Sequence, residues 1–215
     1  MNLLFASGKG GVGKSTLAVQ VARERAARGR EVLLIETDRQ QSAAMWAAIR
    51  VNANIEPAIP CISLFGDGLA AQIRAQMTKY DDIVIDTRGS EATNVEMYQA
   101  MTVAHTMITP IRTSLFDSAT TTAMDKLVEL ARGFNPDLKA FILVNGVSTN
   151  AKSQRERKIR EALEGLSHYN GILKTRVSNR QVFELVAEEG RAVTEFGRDK
   201  KAIAELASLS AEVWQ

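Results

Sequence analysis

Nine consecutive residues near the start of the chain, Gly8-Lys9-Gly10-Gly11-Val12-Gly13-Lys14-Ser15-Thr16, restrict the fold more than any other stretch. They satisfy G-x-x-x-x-G-K-[ST], directly after a short apolar run (residues 3–6) and directly before a segment of helical period (14–28) ended by Gly29. Glycines suit a loop that curls until its backbone N–H groups point inward around phosphate oxygens, because that shape needs positive φ and leaves no room for Cβ atoms. The helix that follows adds the positive end of its dipole. A strand, a phosphate-cradling loop and a helix are therefore expected in that order.

The remaining pattern agrees with an α/β fold. Short β-rich runs at 31–36, 59–64, 82–86, 106–109, 140–145 and 171–177 alternate with helical stretches at 42–50, 69–79, 117–132, 153–166, 180–189 and 199–213. Such alternation predicts a mostly parallel central sheet with helices on both faces. With 215 residues, 45% hydrophobic and 24% charged, and no long linker or repeat, the chain reads as one domain spanning 1–215. The lone Cys61 excludes an internal disulfide, and His105 and His168 stand apart from other metal-ligating residues, so a zinc or other Cys/His metal site is not expected. The N-terminal apolar run ends at Gly8 and Lys9, too soon for a secretory signal, and no later run reaches spanning length; a cytoplasmic protein without a membrane role is expected.

Chemistry is assigned to the loop and to carboxylates at strand ends, where ligands of open parallel sheets sit. Backbone amides of Gly10, Gly11, Val12 and Gly13 are expected on phosphate oxygens, Lys14 on β/γ-phosphate oxygens, Ser15 on Mg²⁺ and Thr16 on the α-phosphate. Asp86 closes the run Ile83-Val84-Ile85-Asp86 and is expected to hold Mg²⁺ through water; Asp38 follows the second strand. Either aspartate has the alternative of capping a turn. Asn145 ends a strand on the same edge, where its amide is suited to pairing with adenine, or simply to ending the strand.

Lys9-Gly10-Gly11-Val12-Gly13-Lys14-Ser15-Thr16, with its early second lysine, resembles the deviant phosphate loop of the ParA/MinD family of dimeric ATPases. The resemblance implies that Lys9 reaches across a homodimer to the partner's ATP, supplying charge in trans. The segment Glu36-Thr37-Asp38-Arg39-Gln40 is similar to the family's Asp-x-Asp-Pro-Gln, with Glu36 and Arg39 as departures, and implies that Asp38 orients the attacking water. Asp86-Thr87-Arg88-Gly89 departs from the commoner Asp-x-Pro form and also occurs in VirC-type accessory ATPases of conjugative transfer. Residues 177–183 and 188–195 resemble the C-terminal segment of short plasmid-partition ParA proteins.

The resemblance implies an ATP- and Mg²⁺-dependent ATPase, slow and partner-stimulated, that forms a nucleotide-sandwich dimer and binds DNA without sequence preference while ATP-bound, and so associates with the nucleoid. A centromere-binding or other adaptor would stimulate hydrolysis to drive partition or positioning of plasmid or chromosome DNA. Accessory work in conjugative transfer, positioning of a protein cargo, and a nucleotide-gated scaffold with negligible turnover stay open. Net charge is only +2, but the stretch 139–160 is locally basic. Lys152, Arg155, Arg157, Lys158 and Arg160 are candidates for DNA phosphates, or for an ordinary solvated helix face.

Overall fold

Successive side chains of a strand point to opposite faces, so a strand buried on both sides must be apolar at every position. Leu3-Leu4-Phe5, Leu33-Leu34-Ile35 and Ile83-Val84-Ile85 meet that demand, and all nine are buried. A computed structural model describes residues 1–89, 95–113, 116–147 and 154–214, side chains at 154–156, 158 and 160 excepted. In it β1 (Asn2–Phe5), β2 (Val32–Glu36), β3 (Cys61–Ser63), β4 (Asp82–Asp86), β5 (Thr106–Arg112), β6 (Lys139–Val147) and β7 (Gly171–Ser178) form one seven-stranded sheet. The spatial order is β3-β2-β4-β1-β5-β6-β7, and every pairing is parallel.

Helices cover both faces, as expected. On one face Leu3, Phe5, Leu34, Val84 and Leu143 pack with α1 (Lys14–Ala26) and α2 (Ser42–Asn52), and with α7 (Val182–Glu188), α8 (Val193–Phe196) and α9 (Lys200–Val213). On the other, Leu4, Leu33, Ile35, Ile83, Ile85 and Met107 meet α3 (Leu69–Arg74), α4 (Val95–Met101), α5 (Ser118–Arg132) and α6 (Gln154–Glu164). The sequence pattern misses α4, although Met97 and Met101, its apolar anchors, are both buried. It overextends α3, which stops at Arg74 because only Leu69 and Ile73 of that helix are buried to hold it.

The pattern also stops β5 too early, at Pro110. Ile108 gives its carbonyl to Ala6 N, so residues of that parity face β1; by Pro110, β1 has ended and the ring's missing N–H leaves no partner unsatisfied. At the outer edge, the free N–H groups of β7 are taken by α9. Glu212 accepts from Lys174 N at 2.7 Å and Thr175 N at 2.9 Å, and Glu205 accepts from Ser178 N at 3.0 Å.

A buried ion pair joins the first half of the chain to the last. Arg50, wholly buried on α2, donates to both carboxylate oxygens of Glu195 at 2.7 and 2.9 Å and to the carbonyls of Pro57 and Gly190. Nearby, Gln20 and Trp46 both donate to the Arg191 carbonyl, fastening residues 190–193 over α1 and α2. Removing one member of such a pair leaves an uncompensated buried charge, so Glu195→Ala is expected to cost about 3 kcal/mol, read as a lower urea midpoint. Burial alone would raise the Glu195 pKa, but Arg50, the Ala192 N–H and Arg23 hold it below the ordinary glutamate value. This contribution is therefore complete above that ordinary value and is lost as pH falls through the lowered one.

Candidate functional site

The loop between β1 and α1 opens a cavity of about 510 Å³ at the carboxyl edge of the sheet. Gly11 and Gly13 take φ of 71° and 94°, the left-handed conformation that a glycine accepts freely. No side chain caps the first turn of α1, which leaves its amides directed at the loop. Gly10, Gly11, Gly13, Lys14, Ser15 and Thr16 all line the cavity, with Asp38 and Asn145 on its walls.

Lys14 is buried, and burial pulls its pKa below the ordinary lysine value although the charges of Asp86, Asp38 and Glu36 pull the other way. Asp86 lies completely buried at the end of β4. Neither of its oxygens has a hydrogen bond of good geometry among the described residues, although the Ser15 hydroxyl is near enough to favour the ionised form. Burial first, and then the charge of Glu36, push its pKa up strongly against Ser15 and Lys14. A buried carboxylate beside a hydroxyl offers two oxygens that could hold a cation.

Asp38 stands half-buried on the β2–α2 loop. Its carboxylate accepts from Gln40 N at 2.9 Å, so it shapes its own turn while lining the cavity. Glu36 is buried and braces this loop, accepting from Asp38 N at 3.0 Å and Ala43 N at 2.8 Å; burial outweighs those bonds and raises its pKa. Arg39, where the similar segment has proline, lies over the Phe65 ring.

Gly89 presses against the phosphate loop: a Cβ there would come within 2.5 Å of the Lys9 carbonyl and 2.7 Å of Lys14 Nζ. That glycine allows the β4 loop to close on the β1 loop. Lys9 itself pairs within its own chain, its Nζ 3.3 Å from Asp117 at the start of α5. Both side chains are 39% exposed, so water screens the pair.

Asn145, which lines the same cavity, is already engaged by the phosphate loop. Its amide donates to the Val12 carbonyl at 2.6 Å, and a Cβ on Gly13 would lie 2.4 Å from the same nitrogen. Sequence reasoning missed Arg112, which donates to the Gly11 carbonyl at 3.2 Å and to Asn179 at 2.8 Å. No motif marks it: it is one arginine at a strand end, far along the chain from the loop it touches.

Of the basic stretch, α6 is present and Arg157 is 75% exposed, 3.4 Å from Glu161 one turn on. Lys152 and the side chains of Arg155, Lys158 and Arg160 lie outside the described residues. His105 Nδ1 accepts from Asn2 N, a structural use. Among the described residues no group of three or more His, Cys, Asp or Glu is placed to hold a metal, and no helix is long and apolar enough to cross a membrane.

Residues 3–193 match the model of the CobQ/CobB/MinD/ParA nucleotide binding domain. The chain belongs to this family. It is 26% identical over 212 residues to the Maintenance of carboxysome distribution protein A of Halothiobacillus neapolitanus, covering 98% of this chain and 95% of that one. Among solved structures it resembles the septum site-determining protein MinD of Pyrococcus horikoshii complexed with Mg-ADP, with a TM-score of 0.72 and 16% identity over 99% and 95% of the two chains. It also resembles a plasmid partition protein of Borrelia burgdorferi, with a TM-score of 0.67 and 19% identity over 98% and 96%.

Asp86→Asn removes a carboxyl group whose ionised form the site disfavours, its pKa pushed up to about 8, and keeps the shape of the side chain. The ligand-free variant is expected to be more stable than the parent by about 1 kcal/mol, read as a higher urea midpoint at unchanged slope. A lower midpoint would mean that the fold already compensates this carboxylate.

Proposed function

We propose that this family member is an ATPase of the partition and positioning type. It binds Mg·ATP in the loop cavity, pairs with a second copy around two nucleotides, and holds DNA without sequence preference until hydrolysis releases it. The observation that carries the reading is the juxtaposition at the cavity floor: uncapped amides and a buried lysine for anionic phosphates, beside a buried carboxylate that has no hydrogen bond of good geometry among the described residues and is suited to a cation.

Ser15 and Asp86 would hold the magnesium. The donor set fits, since Mg²⁺ favours one or two oxygen ligands from protein and fills its other positions with water and phosphate oxygens. When bound, the ion neutralises charge on the β- and γ-phosphates. This chain's own residues do the rest. The loop amides and Lys14 bind and orient the phosphates, and their dry surroundings strengthen each contact. Asp38, at the cavity wall, orients the water that attacks the γ-phosphate.

Lys9 stabilises charge at the partner's nucleotide, as a finger residue does in other NTPases. To do so it must leave Asp117, and the exposure of that pair keeps the exchange cheap. The whole cavity belongs to one domain, 1–215. DNA contact is assigned to the α6 region, Lys152, Arg155, Arg157, Lys158 and Arg160, with affinity that falls steeply as salt rises. A centromere-binding or similar adaptor would stimulate the hydrolysis.

A second reading, positioning of a protein cargo, is favoured by the similarity to the carboxysome-distribution protein over nearly the full length of both chains. The two readings share the nucleotide cycle and differ in what the adaptor carries.

Calorimetry and phosphate release test the cycle. Lys14→Ala should abolish ATP binding. Lys9→Ala and Asp38→Ala should bind ATP as the parent does yet turn over more slowly by on the order of a hundredfold. Parent-like turnover in Lys9→Ala sinks the trans-lysine role, and phosphate release by the parent no faster than by Asp38→Ala leaves a nucleotide-gated scaffold instead.

A further inference from the structure

The amides that would hold phosphate are useful only if their peptide planes face the right way, and two side chains from outside the loop grip consecutive planes. In a trans peptide the C=O and the next N–H point in opposite directions. Arg112 Nη1 holds the Gly11 carbonyl at 3.2 Å, which turns the Val12 N–H away from it. Asn145 Nδ2 holds the Val12 carbonyl at 2.6 Å and does the same for the Gly13 N–H.

Arg112 is itself anchored. Its second nitrogen donates to Asn179 Oδ1 at 2.8 Å, on the loop after β7, and its stem crosses the end of β6 at Gly146. Gly146 leaves room for that crossing: a Cβ there would lie 2.6 Å from Arg112 Nε, and the arginine would have to shift. A guanidinium is suited to the task, because its planar fork reaches two acceptors at once and never loses its charge.

We propose that Arg112 is a positioning residue for phosphate. Together with Asn145 it holds the Val12 and Gly13 amides toward the concave side of the loop, and its charge deepens the positive potential there. The assignment rests on the ATP reading and adds a residue to it. It also gives Asn145 a task on the phosphate loop.

The test compares binding of ADP and of inorganic tripolyphosphate to the parent, Arg112→Gln, Arg112→Lys and Asn179→Ala by calorimetry without magnesium. A lost charge-assisted bond should weaken both ligands by about tenfold in Arg112→Gln. Arg112→Lys should recover part of that loss, since it restores charge and one donor but not the fork. Asn179→Ala should lie between the parent and Arg112→Gln, and thermal melting should show every variant folded.

Parent-like tripolyphosphate binding by Arg112→Gln overturns the assignment, as does a loss confined to ADP, which would make the residue a base-side contact. Failure of the parent to bind either ligand would instead overturn the ATP reading, and this assignment with it.

Discussion

The level at which three strands end decides everything above them. Parallel pairing sets Phe5 opposite Asp86 and Glu36 opposite Asp86. The loops after β1, β2 and β4 consequently rise from one edge at one height. Thr87 reinforces that alignment, its hydroxyl donating to the Phe5 carbonyl at 2.9 Å from a buried position. A slip of one residue would exchange the two faces of a strand, so burial on both sides by different helices makes the register hard to change. The glycine loop, Asp38 and Asp86 meet because their strands can end nowhere else.

That meeting is electrostatically unfavourable until something joins it. Glu36, Asp38 and Asp86 all bear on Lys14, and the lysine together with the Ser15 hydroxyl is too little to settle the two buried carboxylates. Burial raises the pKa of Glu36 and Asp86 and lowers that of Lys14, each shift disfavouring the charged form. The fold holds these groups because the surrounding core is extensive, with apolar helices packed on both faces of the sheet. Strain kept at a site and offset elsewhere is the usual arrangement where function needs charge without solvent.

Much of this was legible in the amino-acid order. The strand, glycine loop and helix of the first turn of the fold, and β4 with its terminal Asp86, follow from local rules of period and turn chemistry. Elements held by tertiary contact were less visible. Helix α4 is short and only Met97, Ala100 and Met101 of it are buried, while β5 continues through Pro110 only because β1 has already ended beside it. At the site, residues inside a motif were found and residues that act on the motif from a distance were not. Asn145 was noticed for its place at a strand end, but its partner is the Val12 carbonyl, and nothing local identifies that pairing. Arg112 and Gly146 work together across two strands, a relation that spacing along a chain does not encode. Gly89 sits where close approach to Lys9 and Lys14 leaves no room for a side chain, a requirement that no local pattern announces.

The carboxylates of Glu205 and Glu212 on the rim of β7 have an effect beyond local bonding. A parallel sheet with a bare outer strand invites a second chain to add its own strand there. Here three of those amides are already occupied by acidic side chains, and the opposite rim, β3, is only three residues long. Two copies that meet edge to edge are thereby discouraged from zipping into a continuous ribbon, leaving contacts through loops and helices.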